Sequence, residues 1–165
     1  MDDPSEILLV EDNPNDIELI LAALSENQLV DEVFVARDGE EALDYLHRRG
    51  AHELRSVENP KVVLLDLKLP KVDGLEVLQR IKSDPRTRVI PVVVLTSSRE
   101  QNDIVESYQF GVNSYIVKPV DFEQFTESMR QLGLYWALLN QPPILPSRHG
   151  EDEVTQRSDP GPSTL

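Results

Sequence analysis

Four short blocks of this 165-residue chain each deliver side chains with chemistry to the end of an apolar run. "ILLVEDNP" (7–14) runs into Glu11 and Asp12, and "VVLLDLKLP" (62–70) into Asp66. "VVVLTSS" (92–98) runs into Thr96, Ser97 and Ser98, and "SYIVKP" (114–119) into Lys118. One carboxylate after a strand is an ordinary way for a strand to meet water. Three carboxylates, a hydroxyl and a lysine in the same relation to four runs call for a common purpose. Clustered carboxylates repel one another unless something positive sits among them. Oxygen ligands without histidine or cysteine select a hard cation, and Mg²⁺ typically takes one or two carboxylates together with waters and phosphate oxygens. A carboxylate beside such a cation can attack a phosphoryl group and become an aspartyl phosphate. The charge spread over the transferring oxygens then needs a metal, an ammonium and hydroxyl or backbone donors. Asp66 as nucleophile, Mg²⁺ on Glu11 and Asp12, Lys118 and Thr96 make up that set.

These residues work together only if the fold brings the run ends to one edge. Five short runs read as buried strands: 7–10, 33–36, 62–65, 92–95 and 114–117. They are continuous apolar or β-branched stretches without in-and-out alternation, the mark of a parallel sheet covered on both faces. Helical segments lie between them. Residues 14–27 put Ile17, Ile20, Leu21 and Leu24 on one face behind Pro14, which the first turn tolerates. Asp38 can cap a helix over 39–48, with Glu41 completing a capping box. Leu75, Leu78 and Ile81 mark 75–83, and a helix over 99–110 stops at Gly111. A last helix starts after Asp121, another good cap. Strand and helix in fivefold alternation predict an α/β fold, a doubly wound five-stranded parallel sheet flanked by five helices. In such sheets ligands bind outside the carboxyl ends of the strands, where all four blocks end.

Composition narrows the function. A net charge of −14 and a pI near 4.5 argue against nucleic acid as a direct partner, since phosphate binding needs a basic face. The chain has no cysteine, so disulfide and thiolate chemistry are excluded. The opening "MDDPSE" lacks a signal peptide's basic start and apolar core, and no apolar run approaches the roughly 20 residues of a membrane span. The expectation is a soluble cytoplasmic protein with no membrane partner. Residues 1–140 form one domain with a long last helix. The proline- and charge-rich stretch 141–165 is expected to be a disordered tail, leaving no room for a DNA-binding output module. The polar connection 48–60 is expected to be a plain insertion.

At this point the chain resembles the receiver domains of two-component response regulators. "LLVEDN" is similar to their acidic pair, "LLDLKLPKVDG" to the phosphoacceptor strand and its loop, "VVVLTSS" to the switch hydroxyl and "YIVKP" to the lysine–proline pair, in order and at family-like spacing. The resemblance covers residues 6 to about 130 and implies the flavodoxin-like receiver fold. It implies Asp66 as phosphoacceptor, and Mg²⁺ held by Glu11, Asp12, Asp66 and the backbone carbonyl of Lys68. Thr96 and Lys118 would contact the phosphoryl group, Tyr115 would be the aromatic switch, and the Lys118–Pro119 bond would be cis. Tyr115 reads equally as ordinary strand packing. Lysine at 68 is a departure that places a second cation near the phosphoryl site, where it bears on self-dephosphorylation. A Mg²⁺-dependent phosphohydrolase with an aspartyl nucleophile is the alternative, but such enzymes commonly carry an acid where Lys68 stands. A phosphorylation-independent interaction module is the other.

Phe122, Phe125, Met129, Leu132, Trp136 and Leu139 recur at helical spacing, and past Gly133 "LYWALL" is apolar on every side. Leu134, Tyr135, Trp136 and Leu138 therefore mark a homodimer interface, unless the helix end curls back onto its own domain. The long 48–60 connection, "RTRVIPVVVLTSS" and "QLGLYWALLNQPP" together resemble the small response regulators of cyanobacterial and bacterial phytochromes. That subgroup implies a light-sensing histidine kinase as partner.

Overall fold

The computed structural model describes residues 7–26, 33–55, 59–118 and 122–133. Elements follow in the order β1 (Ile7–Val10), α1 (Pro14–Glu26), β2 (Val33–Ala36), α2 (Gly39–His47), β3 (Val62–Leu65), α3 (Gly74–Ser83), β4 (Val92–Thr96), α4 (Gln101–Gln109), β5 (Ser114–Val117) and α5 (Phe122–Gly133). The strands pair in parallel in the order β2-β1-β3-β4-β5. The jump from β2 back across β1 to β3 is the topological switch point, where the crossover connections diverge and leave a crevice.

The missing alternation in the strands has a direct cause. Leu8, Val10, Val63, Leu65, Val92 and Val94 point to one face, onto Leu43 and Leu46 of α2 and Val77, Leu78 and Ile81 of α3. Their neighbours Ile7, Leu9, Val62, Leu64, Val93 and Leu95 point to the other, onto Ile20, Ala23 and Leu24 of α1. Helix α5 packs beside α1. Both faces are dry, so both sets of positions must be apolar. Each large side chain taken from water in this way contributes about 1.5–3 kcal/mol.

Helix ends follow local chemistry, with one revision. The Glu41 N–H donates to Asp38 Oδ1 (2.8 Å), as the cap reading requires. The Glu41 carboxylate, however, accepts from the Arg37 N–H (3.2 Å), one residue ahead of the cap, so the reciprocal bond of a capping box is displaced. Helix α4 ends before Gly111, whose φ of 95° only glycine adopts without strain.

The 48–60 connection is more than an insertion. Gly50–His52 forms a 3-10 turn, and the His52 ring stands nearly perpendicular to those of Phe34 and Tyr45, which stack on each other at 4.2 Å. The Arg55 guanidinium lies 4.3 Å over the Tyr45 ring and donates from Nε to the Tyr45 carbonyl (2.8 Å). This segment therefore covers an aromatic pair at the β2 edge. Among the described residues no helix is long and apolar enough to cross a membrane. Leu134, Tyr135, Trp136, Leu138, Pro119 and residues 141–165 lie outside the described residues.

Candidate functional site

Register assembles the site. Val10 stands opposite Leu65 in the β1–β3 ladder, so the next residues, Glu11 and Asp66, leave the sheet side by side. The ladder continues one step past the strands: the Glu11 N–H donates to the Ala36 carbonyl and the Asp66 N–H to the Val10 carbonyl, both at 3.0 Å. Thr96 is paired with Val117, and the Lys118 N–H donates to the Thr96 carbonyl at 2.7 Å. Glu11, Asp66, Thr96 and Lys118 thus occupy the same edge because parallel strands must end together.

Carboxylate oxygens of Glu11, Asp12 and Asp66 lie within 4.8 Å of one another. Glu11 and Asp66 are buried and Asp12 is exposed, which leaves an open side. Donors that are all carboxylate oxygens fit a hard divalent cation keeping part of its water shell. Lys118, only 11 % exposed, reaches across the group. Its ammonium donates to Glu11 Oε2 (2.9 Å), Asp16 Oδ2 (2.8 Å) and Asp66 Oδ2 (3.4 Å). Burial pushes the Glu11 carboxyl up to about 7, against the lowering by its hydrogen bond from Lys118. Burial by itself would lower Lys118, but its bonds to Asp16 and Glu11 and the charge of Asp66 outweigh it and hold the ammonium above its usual range.

The loop after β3 is shaped around Asp66. The Lys68 N–H donates to Asp66 Oδ1 (3.2 Å), which orients the turn carrying the Lys68 carbonyl. The Lys68 side chain turns to Asp103 Oδ2 on α4 (3.9 Å), an exposed ammonium against a partly buried carboxylate. Gly74, the first residue of α3, donates its N–H to the Leu67 carbonyl (3.0 Å). A Cβ there would run into the Asp66 carbonyl oxygen and the Leu67 Cα.

Thr96 is fully buried, and its Oγ1 accepts from the Ser98 N–H (3.4 Å). Tyr115 does more than pack: its hydroxyl donates to the Ser98 carbonyl (3.0 Å). Ser98 Oγ in turn donates to Asp103 Oδ2. Thr96 and Tyr115 therefore meet through one residue of the β4–α4 connection.

The sequence pattern placed Ser98 at the strand end without a role, and passed over Asp16 and Asp103. Asp16 had a signal available, a third acid one helical turn after the acidic pair in "EDNPND". Asp103 had none, since its link to the site runs through a loop conformation.

Comparison with known proteins agrees with this geometry. Residues 7–130 match the model of the response regulator receiver domain. The phosphorylated cyanobacterial phytochrome response regulator RcpA superposes with a TM-score of 0.76 at 42 % identity, covering 86 % of this chain and 100 % of that one. The bacteriophytochrome response regulator AtBRR is 59 % identical, with a TM-score of 0.68 over 85 % and 100 % of the two chains. Response regulator Rcp1 of Synechocystis sp. is 38 % identical over 81 % of this chain and 89 % of its own length. The Mn²⁺-bound form of Rcp1 superposes with a TM-score of 0.75 over 86 % and 100 %. A parallel sheet whose strand ends gather these carboxylates and this lysine, matched along most of its length, places the chain in the response regulator receiver domain family.

Proposed function

We propose that Asp66 takes a phosphoryl group from the phosphohistidine of a sensor histidine kinase, and that the kinase is a phytochrome of the cyanobacterial or bacterial type. The observation that carries this reading is the Lys118 ammonium within hydrogen-bond reach of Asp66 beside the cluster of Glu11, Asp12 and Asp66. A carboxylate oxygen of Asp66 attacks phosphorus, the P–N bond breaks, and the imidazole leaves with the electron pair. Glu11, Asp12 and Asp66, with the Lys68 carbonyl, would hold Mg²⁺, which when bound neutralises charge on the transferring oxygens. Lys118 and the Thr96 hydroxyl supply the remaining donors.

Loss of negative charge from Asp66 and gain of a dianion beyond it alter what Thr96 can bond. Thr96 Oγ1 currently accepts from the Ser98 N–H, and Ser98 holds the Tyr115 hydroxyl. A Thr96 drawn to the phosphoryl group releases that connection, so Tyr115 and the α4–β5 face report phosphorylation. The output is a contact or a passed-on phosphoryl group. Water attack on the acyl phosphate returns the resting state. The Lys68 side chain, turned toward Asp103, takes the place of the acid that a phosphohydrolase would offer there.

The test is transfer in vitro, from an autophosphorylated bacteriophytochrome kinase and, separately, from a small acyl phosphate, with Mg²⁺ present. Label that moves to this protein and is released by hydroxylamine is the expected result. Uptake from the small donor but not from the kinase would refute the partner. Uptake from neither would refute the phosphoacceptor.

The same reading places the protein in the cytoplasm as a homodimer joined around Leu134, Tyr135, Trp136 and Leu138. Aromatic anchors of this kind dominate interface energetics, and two-fold symmetry doubles each contact. Leu138→Glu is expected to convert the dimer into a folded monomer still able to take up phosphate. A wild-type monomer mass by light scattering at micromolar concentration, with and without phosphodonor, would overturn the dimer.

A further inference from the structure

Among the described residues Lys118 has three carboxylate partners, and they are not equivalent. Glu11 and Asp66 belong to the cluster whose oxygens lie within 4.8 Å of one another, together with Asp12. Asp16, which makes the shortest of the three contacts at 2.8 Å, does not. It sits on a different element, the first turn of α1.

Local structure explains why its carboxylate is available. Asn13 caps α1: its Oδ1 accepts from the N–H groups of Asn15 (2.9 Å) and Asp16 (3.3 Å), with Pro14 as the first helical residue. An acid three residues after a cap ordinarily reaches back to the cap's own N–H. Here the Asn13 N–H is given to Glu11 Oε1 (3.2 Å). The Asp16 carboxylate turns instead across the site to Lys118. The helix N-terminus also favours an acid at this position, so the contact does not depend on the lysine alone.

We infer that Asp16 is a positioning residue that keeps the Lys118 ammonium aimed at Asp66 while Glu11 and Asp66 are engaged with a divalent cation. The inference rests on the phosphoacceptor reading above. Once a +2 charge sits among Glu11, Asp12 and Asp66, those carboxylates offer the ammonium less, and the cation repels it across a few ångströms of low-dielectric surroundings. A lysine also gains rotamer entropy by leaving. Asp16 is the one partner of the three whose charge remains free to hold it. With one N–H on Asp16, the ammonium still has donors for Asp66 and an incoming phosphoryl oxygen.

The test uses the full chain, ¹⁵N-labelled at lysine, with Mg²⁺ alone as probe. The Lys118 ammonium resonance is identified by its absence in Lys118→Ala. In the wild type it is expected to stay visible and slowly exchanging from zero to saturating Mg²⁺. In Asp16→Ala it is expected without Mg²⁺, held by Glu11 and Asp66, and lost at saturation. Asp16→Asn, which keeps size and an acceptor oxygen but not charge, provides the same comparison if the alanine variant fails to fold. Phosphorylation by a small acyl phosphate at saturating Mg²⁺ should slow about tenfold. The Mg²⁺ concentration for half-maximal shift of the Glu11, Asp12 and Asp66 amides should not rise, which distinguishes positioning from metal ligation. A Lys118 resonance that persists in the variants at saturating Mg²⁺ would overturn the inference while leaving the metal site intact. Amides at 11, 12 and 66 that fail to move with Mg²⁺ in the wild type would overturn the underlying reading and this inference with it.

Discussion

Asp66→Asn is expected to take up no phosphoryl group from either kinase or small donor, while keeping its fold and losing no thermal stability. An amide oxygen carries neither the charge nor the basicity to displace imidazole from phosphorus, so the loss should be complete and not partial. The stability expectation comes from the surroundings. Asp66 is buried beside Glu11, and the two share one ammonium. Bringing like charges together out of water is unfavourable, and taking one away relieves it. The Lys118 ammonium keeps Glu11 and Asp16 in the variant. The melting temperature should therefore hold or rise in the absence of Mg²⁺, and the added stability that Mg²⁺ confers on the wild type should shrink. Hydroxylamine-labile label on the variant would show that another residue accepts phosphate. A lower melting temperature would show that the Asp66 charge stabilises the fold.

Gly74→Ala is expected to damage both stability and phosphorylation, though residue 74 bears no chemistry. Its Cβ would enter the space of the Asp66 carbonyl oxygen and the Leu67 Cα, atoms of the backbone that cannot swing aside as a flexible side chain can. Either α3 withdraws from the sheet or the Asp66–Leu67 peptide shifts. Overpacking of this kind costs about 1–3 kcal/mol. A displacement of about 1 Å at the nucleophile can slow phosphoryl uptake by roughly a hundredfold. Gly111→Ala is the control. At φ 95° it costs about 1–2 kcal/mol of backbone strain. Yet its Cβ would meet nothing nearer than Lys82 Cδ at 3.8 Å, so stability should fall without loss of rate. Equal rates in the Gly74 and wild-type proteins, measured below the melting transition, would show that the loop adapts without moving Asp66.

The parallel sheet and the identity of its edge residues were legible in the sequence because both follow from local pattern. Unbroken apolar runs such as Val62–Leu65 state that both faces are buried, and run ends at 11, 66, 96 and 118 state which residues reach the carboxyl edge. The acidic cluster follows from the same pattern, since parallel strands in register cannot avoid placing Glu11 beside Asp66. What only the tertiary structure decided is where long side chains go once they leave that edge. Lys118 chooses among carboxylates from three different elements, and its shortest contact is to Asp16, a helix residue that strand patterns do not touch. Lys68 turns to α4 because Asp103 waits there, a distance no spacing encodes. By strand pattern alone Tyr115 is an apolar position, and only the family resemblance suggested a switch. Its hydroxyl gains meaning only because the β4–α4 connection brings the Ser98 carbonyl within 3.0 Å. The 48–60 segment looked polar and spare, but Arg55 and His52 cover the Phe34–Tyr45 stack through ring faces and backbone carbonyls, contacts that composition does not announce. Hydrophobic periodicity determines which elements form and what they present. Flexible charged side chains are placed by whichever partner the assembled fold brings within reach.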